Sequence, residues 1–133
     1  MKVDGQCHCG QIAYTAEIDP AKVNACHCTD CQVLSGGPYI ISTTATPGSF
    51  KLLRGEPHIY MKTAESGRKR AHGLCTNCGT RLFAATPEEP RVYGLRIPPL
   101  AQRNQLKPSR QIWCRSARPW ALLESVERVE LAT

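Results

Sequence analysis

Seven of the eight cysteines in this 133-residue chain fall into three short clusters: Cys7-x-Cys9-Gly10, Cys26-His27-Cys28-x-x-Cys31 and Cys75-x-x-Cys78-Gly79. Two cysteines one residue apart do not easily reach each other at disulfide geometry, yet both sulfurs can point at one metal ion. A structural zinc takes four protein ligands in a tetrahedron, whereas a catalytic zinc takes three and keeps a position open. Seven clustered thiolates therefore match two zinc ions per chain, one structural and one catalytic.

The chain begins Met1-Lys2-Val3-Asp4-Gly5-Gln6, without the apolar stretch of a secretory leader, and Cys7 arrives before such a leader could end. Thiols kept for metal in this way suit a reduced, cytoplasmic setting. Length allows one zinc-binding domain over residues 1–133, and no apolar run is long enough for a membrane span. With 6% aromatic residues, ten glycines and ten prolines, the core is thin and turns are many. Bound metal is then expected to supply much of the folding free energy.

Hydrophobic alternation predicts a mainly β fold, a zinc-stapled antiparallel β domain with little helix. Residues 11–18 place Ile12, Tyr14, Ala16 and Ile18 on one face and polar or small residues on the other, as a half-buried strand does. Further short strands are expected over 38–44, 50–53, 58–63, 81–85 and 91–95, separated by Gly and Pro signals. Residues 29–35 suit one short helix that starts inside the second cluster and stops at Gly36. Residues 120–131 fit either a short helix or an edge element, and 97–111, holding Pro98, Pro99 and Pro108, reads as a connector or a loop over the site.

Cys7, Cys9, Cys75 and Cys78 come from remote parts of the chain, as ligands that staple a fold do, and Gly10 and Gly79 permit the turns that aim each pair. Spacing alone equally allows Cys26 or Cys31 to join the Cys75 pair. The middle cluster supplies three sulfurs within six residues and no neighbouring fourth ligand. Three thiolates make zinc a weak Lewis acid, suited to receiving a thiol rather than to making hydroxide. His27, between two ligands, is expected to point away from the metal as a supporting hydrogen-bond group, a proton relay or a polar loop residue. Cys114 beside Trp113 reads as a buried small hydrophobe, the alternative being a fourth ligand that closes the second site.

The formal charge is +6, and seven thiolates with two dications lower it by three. Basic residues gather at Arg68-Lys69-Arg70 and between Arg103 and Arg118. They suit solvated loops, or an anion site for a small acidic substrate. No motif that reads nucleic acid accompanies them, so nucleic-acid binding is not expected.

Gly5-Gln6-Cys7-His8-Cys9-Gly10, then Cys26-His27-Cys28-Thr29-Asp30-Cys31 leading to Ser35-Gly36, then Leu74-Cys75-Thr76-Asn77-Cys78-Gly79-Thr80, and a closing Arg118-Pro119-Trp120 together resemble the family of glutathione-dependent formaldehyde-activating enzymes, which includes centromere protein V. The resemblance covers residues 5–120. It implies a fold of the β-tent type, a structural zinc on Cys7, Cys9, Cys75 and Cys78, and a catalytic zinc on Cys26, Cys28 and Cys31. The reaction it implies joins glutathione and formaldehyde into S-hydroxymethylglutathione, formally a carbon-sulfur lyase reaction in reverse. Two positions depart from the family pattern. A Gly-Thr-Leu-Asp-like stretch is replaced by Gly94-Leu95-Arg96-Ile97-Pro98-Pro99, and Leu74 stands where an aromatic is common.

The reading that follows is a cytoplasmic, zinc-dependent carbon-sulfur lyase-like enzyme acting on a glutathione adduct of formaldehyde or another small aldehyde. Zinc on Cys26, Cys28 and Cys31 would meet the substrate sulfur or carbonyl oxygen, and Arg68, Lys69, Arg70 or Arg96 would hold carboxylates. The alternative is a non-catalytic zinc module that binds glutathione, a protein or a nucleic acid.

Overall fold

Apolar alternation builds two sheets, and the aromatic residues between them make the core. The computed structural model describes residues 1–132. In the smaller sheet, β1 (Lys2–Gln6) pairs antiparallel with β2 (Ala13–Glu17), whose other edge takes β5 (Lys51–Arg54). Ile12, Tyr14, Ala16 and Ile18 are all buried, as their alternation predicts. The larger sheet contains β3 (Asn24–Cys26), β4 (Ile40–Thr44), β6 (His58–Thr63), β7 (Lys69–Leu74), β8 (Arg81–Ala85), β9 (Tyr93–Arg96), β10 (Arg110–Ile112) and β11 (Glu127–Arg128). Its strands run in the order β11-β10-β3-β4-β9-β8-β7-β6.

The inner faces meet through Phe50, which stacks on Tyr93 at 4.0 Å between centroids and touches Tyr14 at 5.1 Å and Phe83 at 5.7 Å. Few aromatic residues suffice because four of them form one cluster. One device recurs in both sheets: Tyr14 lies over Gly5 across β1 and β2, and Phe83 lies over Gly73 across β7 and β8. A Cβ at either glycine would collide with the facing ring, so each aromatic covers a gap that its partner strand must leave open.

The pairing is antiparallel except at β10, which runs parallel to both β3 and β11. The expected antiparallel β domain is found, and the parallel pairs at β10 are its exception, because residues 97–111 carry the chain across the molecule before β10 begins. That segment is ordered: Gln6 N–H donates to Pro99 O, and Ala101 N–H to Asp4 O. Its successor, residues 120–131, is an edge element containing β11, with a 3₁₀ turn at Pro119–Ala121 just before it. The helix α1 (Thr29–Ser35) has the predicted bounds and ends at Gly36 in the left-handed conformation. Among the described residues, no helix is long and apolar enough to cross a membrane.

Candidate metal centres and the adjoining cavity

Two chain turns of the same design bring the remote cysteine pairs together. Gly10 N–H donates to Cys7 O at 3.0 Å and Gly79 N–H to Cys75 O at 2.8 Å, with φ of 82° and 79° at the two glycines, a region L side chains disfavour. Ile12 N–H donates to Cys7 Sγ, and His8 N–H donates to Thr80 Oγ1, which locks one turn against the other. All four sulfurs lie within 4.8 Å of one another. Cys7 Sγ is 3.6 Å from Cys9 Sγ, and Cys9 Sγ is 3.7 Å from Cys75 Sγ. A disulfide needs about 2.05 Å, whereas a zinc tetrahedron with bonds of about 2.3 Å has sulfur-sulfur edges of about 3.8 Å. The donor set fits zinc. The Thr80 hydroxyl and backbone N–H groups hold the Cys78 thiol down to about 5, which favours the thiolate a metal takes.

The middle cluster is made by one strand-to-helix corner. Cys26 ends β3, Cys28 caps α1, and Cys31 lies in its first turn, where its N–H donates to Cys28 Sγ at 3.3 Å. The three sulfurs lie within 4.8 Å of one another, all half-buried. Sulfurs so close cannot all ionise unaided. Hydrogen bonds from Cys26 and then Cys31 hold Cys28 down, to about 2, while the same contacts push Cys26 up to about 11 and raise Cys31. Such a set ionises together only beside a cation, so it too fits a metal, with three protein donors.

Cys114 is buried and belongs to neither group, so it does not close the three-sulfur site, and neither Cys26 nor Cys31 joins the Cys75 pair. His27 lies in the connector between β3 and α1 but faces inward: it is fully buried, packs its ring 5.1 Å from that of Tyr39, and shares a hydrogen bond of 3.0 Å between Nε2 and Gln111 Oε1. Gln111 also accepts from Leu123 N–H and donates to Leu123 O and Val126 O. Sequence reasoning did not single out Gln111. A polar residue between the apolar Ile112 and a basic loop gives little signal of a buried network.

Strand register sorts the basic residues. Lys62 pairs with Arg70, Tyr60 with His72, His72 with Ala84, and Ala84 with Gly94; Arg96 pairs with Ser42, and Cys26 with Ile40. Because side chains alternate, Lys62, Arg70, His72, Arg96 and Cys26 share the outer face of the larger sheet, whereas Lys69 falls on the opposite face. Arg68 precedes β7 and is exposed. Arg70 lies above Gly94, which has no side chain to displace it, and donates from Nη2 to Ala84 O at 3.0 Å. Lys62 pairs with Asp30 of α1 at 3.1 Å, holding the helix over this face.

Between α1 and the sheet is a cavity of about 580 Å³, lined on its polar side by Ser35, Tyr39, His72, Thr80, Arg81 and Arg96 and closed partly by Pro98 and Pro99. Burial, and then the charges of Arg96, Lys62, Arg81 and Arg70, lower the His72 pKa to about 4, so its imidazole is neutral at pH 7. His72 and Arg81 were missed in the sequence because each looks like an isolated polar residue in a short strand. The alternation of Arg70 and His72 along β7 was the available signal. A second hollow, of about 740 Å³, adjoins this cavity across Thr80, Pro98 and Pro99 and extends around Gly5, Tyr14, Arg54 and Arg103.

Residues 2–116 match the family described as glutathione-dependent formaldehyde-activating enzyme. The chain belongs to that family. Its fold is also that of a crystal structure of a Rhodobacter sphaeroides protein, with a TM-score of 0.60, 20% identity, and coverage of 95% of this chain and 99% of that one. An uncharacterized lyase of Schizosaccharomyces pombe is 29% identical over 83 residues, 62% of this chain. The match takes in 56% of that relative, so the chain represents about half of its length. Pro119 and Trp120, beyond the matched residues, lie in a 3₁₀ turn, with Trp120 largely exposed.

Proposed function

We propose that this protein is a zinc-dependent, carbon-sulfur lyase-like enzyme that joins a small thiol, glutathione foremost, to a small aldehyde. Family membership and the lyase name of the yeast relative support the class of reaction. The observation that carries the reading is the convergence of Cys26, Cys28 and Cys31 beside a basic cavity, with no fourth His, Cys, Asp or Glu donor among the described residues. Cys7, Cys9, Cys75 and Cys78 would hold a structural zinc. Cys26, Cys28 and Cys31 would hold a second, which would supply a soft Lewis acid that favours a substrate thiolate.

The remaining work falls to side chains. Addition of a thiol to an aldehyde forms a C–S bond, opens the C=O π bond, and moves the thiol proton to the carbonyl oxygen. His72, neutral and inside the cavity, is the imidazole that can carry that proton. Arg70 and Arg96 on the same face attract carboxylates, and Arg68, exposed just before β7, adds positive charge nearby. Lys69, on the other face of β7, is left out of this role. Pro98 and Pro99 hold water away from one wall.

The test follows glutathione and formaldehyde exchange with their adduct by NMR, with zinc-loaded protein present. The protein is expected to raise the exchange rate in proportion to its concentration, and Cys28→Ala is expected to abolish the increase. S-methylglutathione, which presents no thiolate, should bind at least tenfold more weakly than glutathione. Equal affinity for both, with no rate increase, would leave only a non-catalytic binding module.

A further inference from the structure

Arg96 lies within the stretch Gly94–Pro99, one of the two places where this chain departs from the family pattern, and it is also the most deeply buried cation in the cavity. It is 8% exposed, and its Nε has no hydrogen-bond partner. Nη1 of Arg81, in the same cavity, is likewise buried and unpartnered. Among the described residues, neither arginine forms an ion pair and no acid lines the cavity. The nearby Lys62 is already matched by Asp30. A buried guanidinium without an acceptor is costly, and such a group usually finds its partner in a ligand.

The neighbouring thiolates do not use up this charge. Three thiolates around one dication leave a single negative charge, which one guanidinium balances. Arg81 and Arg96 together therefore leave one positive charge for a monoanion before a thiolate joins the metal, and Arg70, on the same face and bonded only to a neutral carbonyl, offsets the further negative charge that such a thiolate adds. Register fixes where that anion must sit. Arg96 pairs with Ser42, and Cys26 pairs with Ile40 on the same strand, so Arg96 and Cys26 stand on one face, separated only by β4. In glutathione, each carboxylate is at least one peptide unit away from the sulfur. In a 2-oxo acid, the carboxylate is bonded directly to the carbonyl carbon, which suits a cation buried this close to the sulfurs.

We propose that Arg96 and Arg81 form a carboxylate subsite for the carbonyl reactant, which makes the preferred aldehyde a small oxo acid rather than formaldehyde. This rests on the thiol-aldehyde reading above. The step balances without oxidant or reductant: the thiol sulfur bonds to the aldehyde carbon, the C=O π bond opens, the thiol proton ends on that oxygen, and the carboxylate is unchanged.

Glyoxylate is the probe, with zinc-loaded full-length protein. In the absence of thiol, it is expected to move the Arg96 Nε–H NMR resonance saturably, whereas uncharged formaldehyde does not. The affinity, read by calorimetry so that it does not depend on the Arg96 resonance, should fall at least tenfold in Arg96→Gln and in Arg81→Gln. The second variant removes a less buried charge and guards against misfolding of the first, and two zinc ions per chain confirm that each is folded. In turnover, kcat/KM for glyoxylate relative to formaldehyde should exceed ten in the wild type. The ratio should approach one in both variants, and the wild-type preference should persist with cysteamine, a thiol lacking carboxylates.

An unmoved Arg96 resonance would overturn the proposal, as would glutathione alone occupying the subsite in competition with glyoxylate, or a ratio that both substitutions leave intact. If glyoxylate binds through Arg96 but no aldehyde is turned over, the carboxylate site stands and the enzyme reading fails.

Discussion

The two groups of cysteines solve opposite problems. Cys7 and Cys9 follow a strand of the smaller sheet, while Cys75 and Cys78 bracket a turn of the larger one, with Cys9 and Cys75 66 positions apart in sequence. Cys7 and Cys75 are buried and belong to the hydrophobic core. A metal there joins the two sheets and closes a long loop, so its binding free energy is folding free energy. Cys26, Cys28 and Cys31 instead lie within one corner, half-buried, and that corner is already held by other means. Gln32 Nε2 donates to His27 O and Ser116 O, and His27 N–H donates to Ile112 O. On the reading proposed above, ligands remote in sequence would serve the fold, and local, half-buried ones would leave a metal free for chemistry.

The largest expected effect comes from breaking one group at a time. Cys78→Ala removes a ligand worth a share of a binding free energy on the order of 10 kcal/mol, and should leave an unfolded or aggregated chain. Cys28→Ala should leave a cooperatively folding protein with one zinc. Thermal unfolding and metal content of the two variants provide the check, and identical collapse of both would erase the distinction.

Gln111→Leu probes the support of the open corner alone. Its amide serves His27, Leu123 and Val126, and losing it strands several buried polar groups at a cost of about 3 kcal/mol. Zinc affinity at the three-cysteine site should fall by about tenfold, while the four-cysteine site is unaffected. Competition with a chromogenic chelator separates the two.

How much of this was legible follows the same division. The metal-ligand clusters, α1 and the strand with clean alternation, β2, could be read because spacing and period are local signals. The short strands β3, β10 and β11 were not legible. Each has two or three residues, too few to show a period, and each exists only because its neighbour offers a partner. Parallel pairing at β10 depends on where the 97–111 segment leads, which no local pattern specifies. The basic residues divided by register: Arg70 and Arg96 share a face that Lys69 does not, and the pairing of six strands decides this.

A smaller effect sharpens the electrostatics of the open side. His72 has a folded pKa near 4 against an ordinary value of about 6.5. Between those values the unfolded chain takes up a proton that the folded protein refuses, so the contribution is intact above pH 6.5 and lost as pH falls through 4. In His72→Gln, the decline in urea midpoint from pH 7 to pH 4.5 should be shallower than in the wild type. An equal slope in both would remove His72 from the account.

The division of labour between the two centres is tested most directly by the kinetics of zinc release to a chelator from protein purified under reducing conditions. Two zinc ions per chain are predicted, one lost quickly with the fold intact and the other only as the protein unfolds. A single zinc per chain, or two lost together in one unfolding-linked phase, would contradict the assignment of one centre to the fold and the other to chemistry.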